Sequence, residues 1–117
     1  MAVTTLSDKA AEARRLGLAA RAGWQTGVLR VTVTGQVDAR DSLSLQIVHP
    51  TQDQLDKTIP LTALGQGTYE ARIELTGQGK RHVILEPADQ RWRLQGDWHA
   101  PFNEETSLHA GTTPHGA

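Results

Sequence analysis

The sequence predicts a mainly β protein, an antiparallel β-sandwich of six or seven strands that an N-terminal α-helix precedes. From Gly27 onward, apolar and polar residues alternate with the period of two that a strand with one buried face requires. Turn residues, mostly glycine, proline and aspartate, separate these stretches at fairly even spacing, which is typical of a sandwich. The earlier segment is rich in alanine, arginine and glutamate, which favours a helix.

The helix is expected over residues 7–22, with residues 1–6 as a start segment or disordered linker. Ser7 is the expected N-cap, and Asp8 lies in the first turn, where the helix dipole favours a negative charge. Such a short helix is marginal in water, so it is expected to pack on the sandwich. Its thin apolar stripe has three- and four-residue spacing and consists of Ala10, Ala13, Leu16 and Ala20.

The sandwich domain is expected over residues 23–102. Its six strands by pattern are residues 28–34, 42–48, 58–62, 68–75, 80–86 and 91–98. Pro60 indicates an edge position for the third strand, because proline cannot donate to a ladder. Alternation places Trp92 and Trp98 on the apolar face of the last strand. The polar residues 103–117 are expected to form a disordered tail.

Composition excludes several classes of function. The chain has no cysteine, and its one methionine is Met1, so disulfides, thiol nucleophiles and a soft copper(I) site are excluded. Twelve basic and thirteen acidic residues give a net charge of −1, which is no electrostatic footprint for nucleic acid. No apolar run approaches the roughly 20 residues of a spanning helix.

Catalytic patterns are also missing, and the protein is expected not to be an enzyme. No GxSxG motif occurs. The acidic pairs lie in predicted turns or in the tail, where turn chemistry explains them better than acid–base catalysis. These pairs are Asp38 with Asp41, Asp53 with Asp56, and Glu104 with Glu105.

The histidines provide the candidates for a metal site. No two of the five have HxH, HxxxH or HExxH spacing. A copper(II) or zinc site would need His49, His82 and His99 to converge at one end of the sheet, and surface histidines are the alternative. A small basic patch for an acidic partner would form from residues 80–82, Arg91 and Arg93 if their strands pair. A solvated sheet face is the alternative.

Two motifs resemble the FixH-like family. The run SLSLQIVHPT at residues 42–51, followed by Asp56 and Leu61, resembles that family's LxLxLxHPT…D…L segment. Residues 67–69 resemble its GxY element, and LEPADQRWRLQGDW at residues 85–98 looks like its closing LE…WRLxGxW segment. The resemblance covers about residues 7–101, and the alanine-rich segment looks like the end of the family's helix.

This resemblance implies an immunoglobulin-like extracytoplasmic domain behind one N-terminal membrane anchor, on the periplasmic side of the bacterial inner membrane. It also implies a role in assembly of the high-affinity cbb-type cytochrome c oxidase, beside a copper-transporting ATPase, and an association with nitrogen fixation. The anchor is missing here, so the chain is expected to be the soluble part of a longer protein; a natural soluble paralogue is the alternative.

The sequence therefore predicts a non-catalytic interaction domain without a cofactor, which docks on oxidase subunits or the copper-transporting ATPase. The expected interaction residues are His49, Pro50 and Thr51 at one end of the sandwich, with Trp24 and the helix face. Trp24 is included because it is the most exposed candidate of three tryptophans. The alternatives are a copper-binding domain that uses histidines and a generic ligand-binding sandwich.

Overall fold

The computed structural model describes residues 5–36 and 42–110. In this part of the chain, one helix precedes a set of nine strands. The helix, α1, is Thr5–Arg15, and a short 3-10 helix is Asp53–Leu55. The strands are β1 Ala19–Gln25, β2 Val28–Thr34, β3 Leu43–Val48, β4 Lys57–Pro60, β5 Thr62–Gly65, β6 Thr68–Arg72, β7 Gly79–Pro87, β8 Leu94–Ala100 and β9 Thr106–His109.

The strands form one antiparallel sheet in the order β4-β3-β7-β8-β9-β1-β2-β6-β5. Only Leu61 separates its edge strands β4 and β5, so the segment 57–65 leaves one edge of the sheet and joins the other. The Leu61 N–H donates to the Leu43 carbonyl at 2.9 Å where the segment crosses. The sheet is therefore a nearly closed barrel of nine strands, and the prediction of a six- or seven-stranded sandwich was wrong in strand number and closure.

Helix α1 is shorter than the predicted 7–22. It begins at Thr5, so Ser7 lies inside it and is not its N-cap, and it ends at Arg15. Gly17 follows in the left-handed region at φ +67°, as is usual just after a helix. Ala13 is fully buried while Ala10 and Leu16 are half-buried, so the apolar stripe does pack on the barrel as far as Leu16. No helix in the described residues is long and apolar enough to cross a membrane.

Residues 19–25 form strand β1 instead of continuing the helix. Ala20 and Ala22 point inward and are buried, and Trp24 lies within this strand and not before it. Alanine favours helices by a few tenths of a kcal/mol per residue. Pairing with β2 along the whole strand and with β9 along part of it outweighs that preference.

The predicted disordered tail is also corrected, since Thr106–His109 form β9 between β8 and β1. Leu108 is fully buried there, whereas residues 111–117 of the predicted tail lie outside the described residues. A strand with a single apolar residue has no detectable period, so no sequence pattern indicates it. Pro60 ends the edge strand β4, and this confirms the edge position that proline predicted.

Aromatic side chains fill the barrel interior. Trp92 and Trp98 are almost completely buried, as alternation predicted, and Tyr69 and Phe102 are buried with them. The rings of Trp98 and Phe102 meet edge to face with centroids 4.9 Å apart. The Trp98 indole N–H donates to the Glu104 carbonyl at 2.7 Å, so the one polar atom of this buried ring is satisfied.

The antiparallel pairing gives the barrel two distinct ends. The helix end contains α1, the start of β3 and the end of β7, where Lys9 Nζ lies 3.3 Å from Glu86 Oε2. The motif end contains the end of β3 and the start of β7, because Val48 pairs with His82. About six residues at 3.3 Å each separate the two ends by roughly 20 Å.

We expect Gly96→Ala to destabilise the barrel, because a Cβ at this position would lie 2.3 Å from the Ser107 carbonyl oxygen. Forcing β8 and β9 apart should cost about 1–3 kcal/mol of unfolding free energy, measured by urea denaturation. Gly23→Ala is the matched control, since its Cβ would meet only the flexible Glu105 side chain at 3.2 Å. Equal effects of the two substitutions would contradict this account of β9.

Candidate functional site

The HPT motif begins a folded loop at the motif end of the barrel. This motif loop, His49 to Asp56, connects β3 to β4. The His49 backbone N–H donates to Asp56 Oδ1 at 2.8 Å, which ties the two ends of the loop together. His49 Nδ1 accepts hydrogen bonds from the N–H groups of Thr51 at 3.1 Å and Gln52 at 3.0 Å.

These contacts explain the residue types of the motif. A side-chain acceptor two bonds beyond Cβ can accept a hydrogen bond from the backbone N–H two residues later, as Asn and Asp do in turns. His49 Nδ1 is an acceptor of this kind. Pro50 has the fixed φ that suits the second position of such a turn. Because Nδ1 accepts, the ring proton of neutral His49 is on Nε2. His49 therefore has a structural role at the end of β3, with a defined geometry.

The motif loop also carries an exposed apolar side chain. Leu55 ends the 3-10 helix, and 48% of it is exposed. Its N–H donates to the Gln52 carbonyl at 3.0 Å, so its backbone is held within the loop. Pro50 and Thr51, earlier in the same loop, are also exposed. The loop thus presents an apolar group, a proline ring and a hydroxyl on a backbone that internal hydrogen bonds fix.

Strand alternation divides the predicted basic patch. Lys80 and His82 lie on the outer face of β7, whereas Arg81 points inward and is buried. Arg91 lies 2.5 Å from Asp89 and Arg93 lies 2.8 Å from Glu86, close to the helix end. The structure therefore does not gather residues 80–82, Arg91 and Arg93 into one basic surface.

Three charged or polar side chains surround His82 on the outer face of β7 and β8. His82 Nε2 lies 2.9 Å from Gln95 Oε1, and His82 Nδ1 lies 3.3 Å from Asp97 Oδ1. Lys80 Nζ is 3.4 Å from the other oxygen of Asp97. The hydrogen bond from His82 is the main cause that lowers the pKa of Asp97; partial burial opposes it, and the positive charge of Lys80 lowers the pKa further.

The three histidines proposed as metal candidates occupy different surroundings. His49 Nδ1 is bonded to the backbone of its own loop, and His82 contacts Gln95 and Asp97. His99 lies opposite Lys80 in the β7–β8 ladder and is exposed. Among the described residues, no group of three or more histidine and carboxylate side chains is placed to hold a metal ion.

Trp24 lies at the motif end on the other wall of the barrel, four strands from β3 in sheet order. It is half-buried against the core, and its indole N–H donates to the Ile73 carbonyl at 2.8 Å. It is the most exposed of the three tryptophans, since Trp92 and Trp98 are only 1% and 2% exposed. The helix face lies at the opposite end, so the predicted interaction residues do not form one surface.

Sequence reasoning missed a groove beside Trp24. It has a volume of about 510 Å³ and lies on the outer face of β1, β2 and β6, with residues 103–105 as one wall. Its charges are largely paired, with Arg30 2.8 Å from Glu70 and Arg21 3.9 Å from Glu105. The outward alternation of Arg21, Gly23 and Gln25 would have revealed it only if residues 19–25 had been recognised as a strand.

We expect His49→Ala to destabilise the motif loop, since the backbone N–H groups of Thr51 and Gln52 lose their acceptor. The loss should be about 1–2 kcal/mol in urea denaturation, with faster hydrogen exchange at the amides of Thr51 and Gln52. His49→Asn is the matched control, because its Oδ1 stands where Nδ1 does. Unchanged exchange in His49→Ala would contradict the loop geometry described above.

The pH dependence of Asp97 follows from its lowered pKa. A carboxyl with a folded-state pKa below its unfolded value adds stability above the unfolded pKa and loses it as pH falls through the folded pKa. NMR titration should give a pKa for Asp97 below the ordinary aspartate value, and His82→Ala should raise it. A pKa that His82→Ala leaves unchanged would refute the hydrogen bond as the main cause.

Comparison with known proteins places the chain in a family. No curated protein sequence and no solved structure shows a significant match to it. The model of the FixH family matches residues 4–99, which run from the start of α1 into β8 and include the motif loop. This match covers well over half of the 117 residues and agrees with the resemblance that the HPT and WRLxGxW motifs indicated. The chain therefore belongs to the FixH family.

Proposed function

We propose that this chain is a non-catalytic interaction domain that acts in assembly of the cbb-type cytochrome c oxidase, on the periplasmic side of the bacterial inner membrane. Family membership supports this role. The observation that carries it is the motif loop, whose backbone is tied by His49 and Asp56 while Leu55 stays 48% exposed. A loop that is already ordered loses little conformational entropy when a partner binds, which favours recognition.

The position of α1 suggests how the domain is oriented. The membrane anchor that the family resemblance implies would precede α1, which packs at the helix end through Ala13 and Lys9. The motif end, about 20 Å further along the strands, would then face away from the bilayer. This orientation would present the motif loop to the extracytoplasmic part of an oxidase subunit or of a copper-transporting ATPase.

The association with copper is proposed to pass through the partner. Transport of copper(I) uses cysteine or methionine sulfur, and this chain has no cysteine and a single methionine, Met1. His49, His82 and His99 lie in three different surroundings, which favours the interaction role over a histidine site for copper(II). The domain is therefore proposed to bind the copper machinery without a cofactor of its own.

We expect Leu55→Glu in the membrane-tethered protein to abolish recovery of its partner, since a charge would replace the exposed apolar contact. The measurement is affinity purification from detergent-solubilised membranes, with oxidase subunits and the copper-transporting ATPase quantified by mass spectrometry. At least a tenfold loss is expected.

Leu64→Glu is the matched control, because Leu64 is 53% exposed but lies on β5, away from the motif loop. Both substitutions replace an exposed leucine, so neither should alter the melting temperature. Recovery of the same partners with Leu55→Glu as with wild type would reject the motif loop as the docking surface.

A further inference from the structure

Arg81 is a buried cation without a counter-ion. Only 9% of the residue is exposed, and among the described residues no carboxylate lies within ion-pair distance of its guanidinium. Nη1 donates to the carbonyls of Gln78 at 3.0 Å and Lys80 at 3.2 Å. The described residues provide no acceptor for Nε or Nη2, although a guanidinium has five N–H groups to satisfy.

This arrangement is costly for the isolated domain. A buried charge loses its hydration, and two carbonyl dipoles replace only part of it. A buried charge that no counter-ion compensates is strongly destabilising. Packing alone therefore does not explain an arginine at this inward position of β7. Binding of an anion from outside the chain would explain it.

Two glycines line one side of the guanidinium. Gly77 and Gly79 lie in the left-handed region, at φ +117° and +93°. A Cβ on Gly77 would lie 2.8 Å from Arg81 Nη2, so any side chain there would occupy the space beside this nitrogen. Neither Gly77 nor Gly79 therefore places a side chain against the guanidinium, and residues 77–79 are themselves exposed.

The start of the motif loop lies next to Arg81 across the β3–β7 pair. Val48 pairs with His82, so extension of the register by one residue places His49 opposite Arg81. Arg81 in turn pairs with Trp98 on β8. Lys57, which pairs with Ile47 and is exposed, adds a second cation at this end. The unpaired guanidinium and the motif loop are therefore neighbours.

We propose that the motif end binds an acidic segment of a partner protein and that a carboxylate of this segment pairs with Arg81. This inference deepens the proposed function and rests on it, because it names the chemistry of the partner. A carboxylate matches the guanidinium fork with two parallel hydrogen bonds.

A protein segment fits this end better than a membrane or a nucleic acid does. The exposed Leu55 offers an apolar contact that a polyanion would not use. Asp97, which lies on the outer face of the next strand, would repel an extended negative surface. A single buried cation beside an apolar group therefore indicates one carboxylate in a partly apolar segment.

The test uses the full chain and a capped hexapeptide that contains two glutamates and two leucines. Titration of wild type should shift the NMR signals of the Arg81 Nε–H and of the amides of residues 77–80. Arg81→Met should weaken binding at least tenfold and should melt at or above the temperature of wild type. Arg30→Met is the matched control, since it removes the same charge from an outer sheet face and should leave binding unchanged.

The same hexapeptide with glutamines in place of glutamates should not shift these signals. Absence of binding to wild type would overturn the proposal, and so would equal binding to wild type and Arg81→Met. Suppose that the peptide test fails in either way but that Leu55→Glu still loses oxidase recovery. The interaction function would then stand, and only the pairing of a partner carboxylate with Arg81 would be rejected. Failure of the peptide test together with unchanged oxidase recovery in Leu55→Glu would reject the docking role of the motif end altogether.

Discussion

The close approach of β8 and β9 is the constraint on which the rest of the barrel depends. Strand β9 has only four residues, yet it lies between β8 and β1 and so joins the two halves of the sheet. Gly96 makes this approach feasible, because any side chain would meet the Ser107 carbonyl. Without β9, the halves would be connected within the sheet only through the crossing at Leu61, and Leu108 would lose its buried position.

Closure of the sheet also determines what each end of the barrel can do. Antiparallel pairing brings α1 to one end and the motif loop to the other, so the helix and the loop cannot form one surface. The same closure buries Trp98 and Phe102 near the motif end and thereby supports the row that contains Arg81. The motif loop therefore starts from a strand of the closed barrel and is ordered by its own internal hydrogen bonds.

Arg81 differs from the other charged side chains of this domain in its surroundings. Most ion pairs of the described residues lie on outer faces, where water screens them and each contributes at most about 1 kcal/mol. Arg81 is different, because it lies inside the barrel and carbonyl oxygens are its bonded partners. Burial of this cation carries a desolvation penalty, and only binding of an anion offsets it. The cation therefore contributes more to recognition than to folding.

The sequence by itself determined the β class, the bounds of β2, the inward positions of Trp92 and Trp98, and the family. These features depend on local alternation and on motifs, which need no knowledge of distant partners. The strand β1 could not be recognised, because Ala20 and Ala22 fit a helical stripe as well as a buried strand. Strand β9 has one apolar residue and so has no period to detect.

Only the tertiary structure decided barrel closure, the separation of the helix from the motif loop, and the surroundings of the three candidate histidines. Each depends on pairing between residues far apart in the chain, such as Ala19 with His109. The sequence identified His49 as a motif residue, but its two backbone hydrogen bonds and its place opposite Arg81 follow from the folded loop and the sheet register. Long-range strand pairing sets these positions, and a local pattern does not contain it.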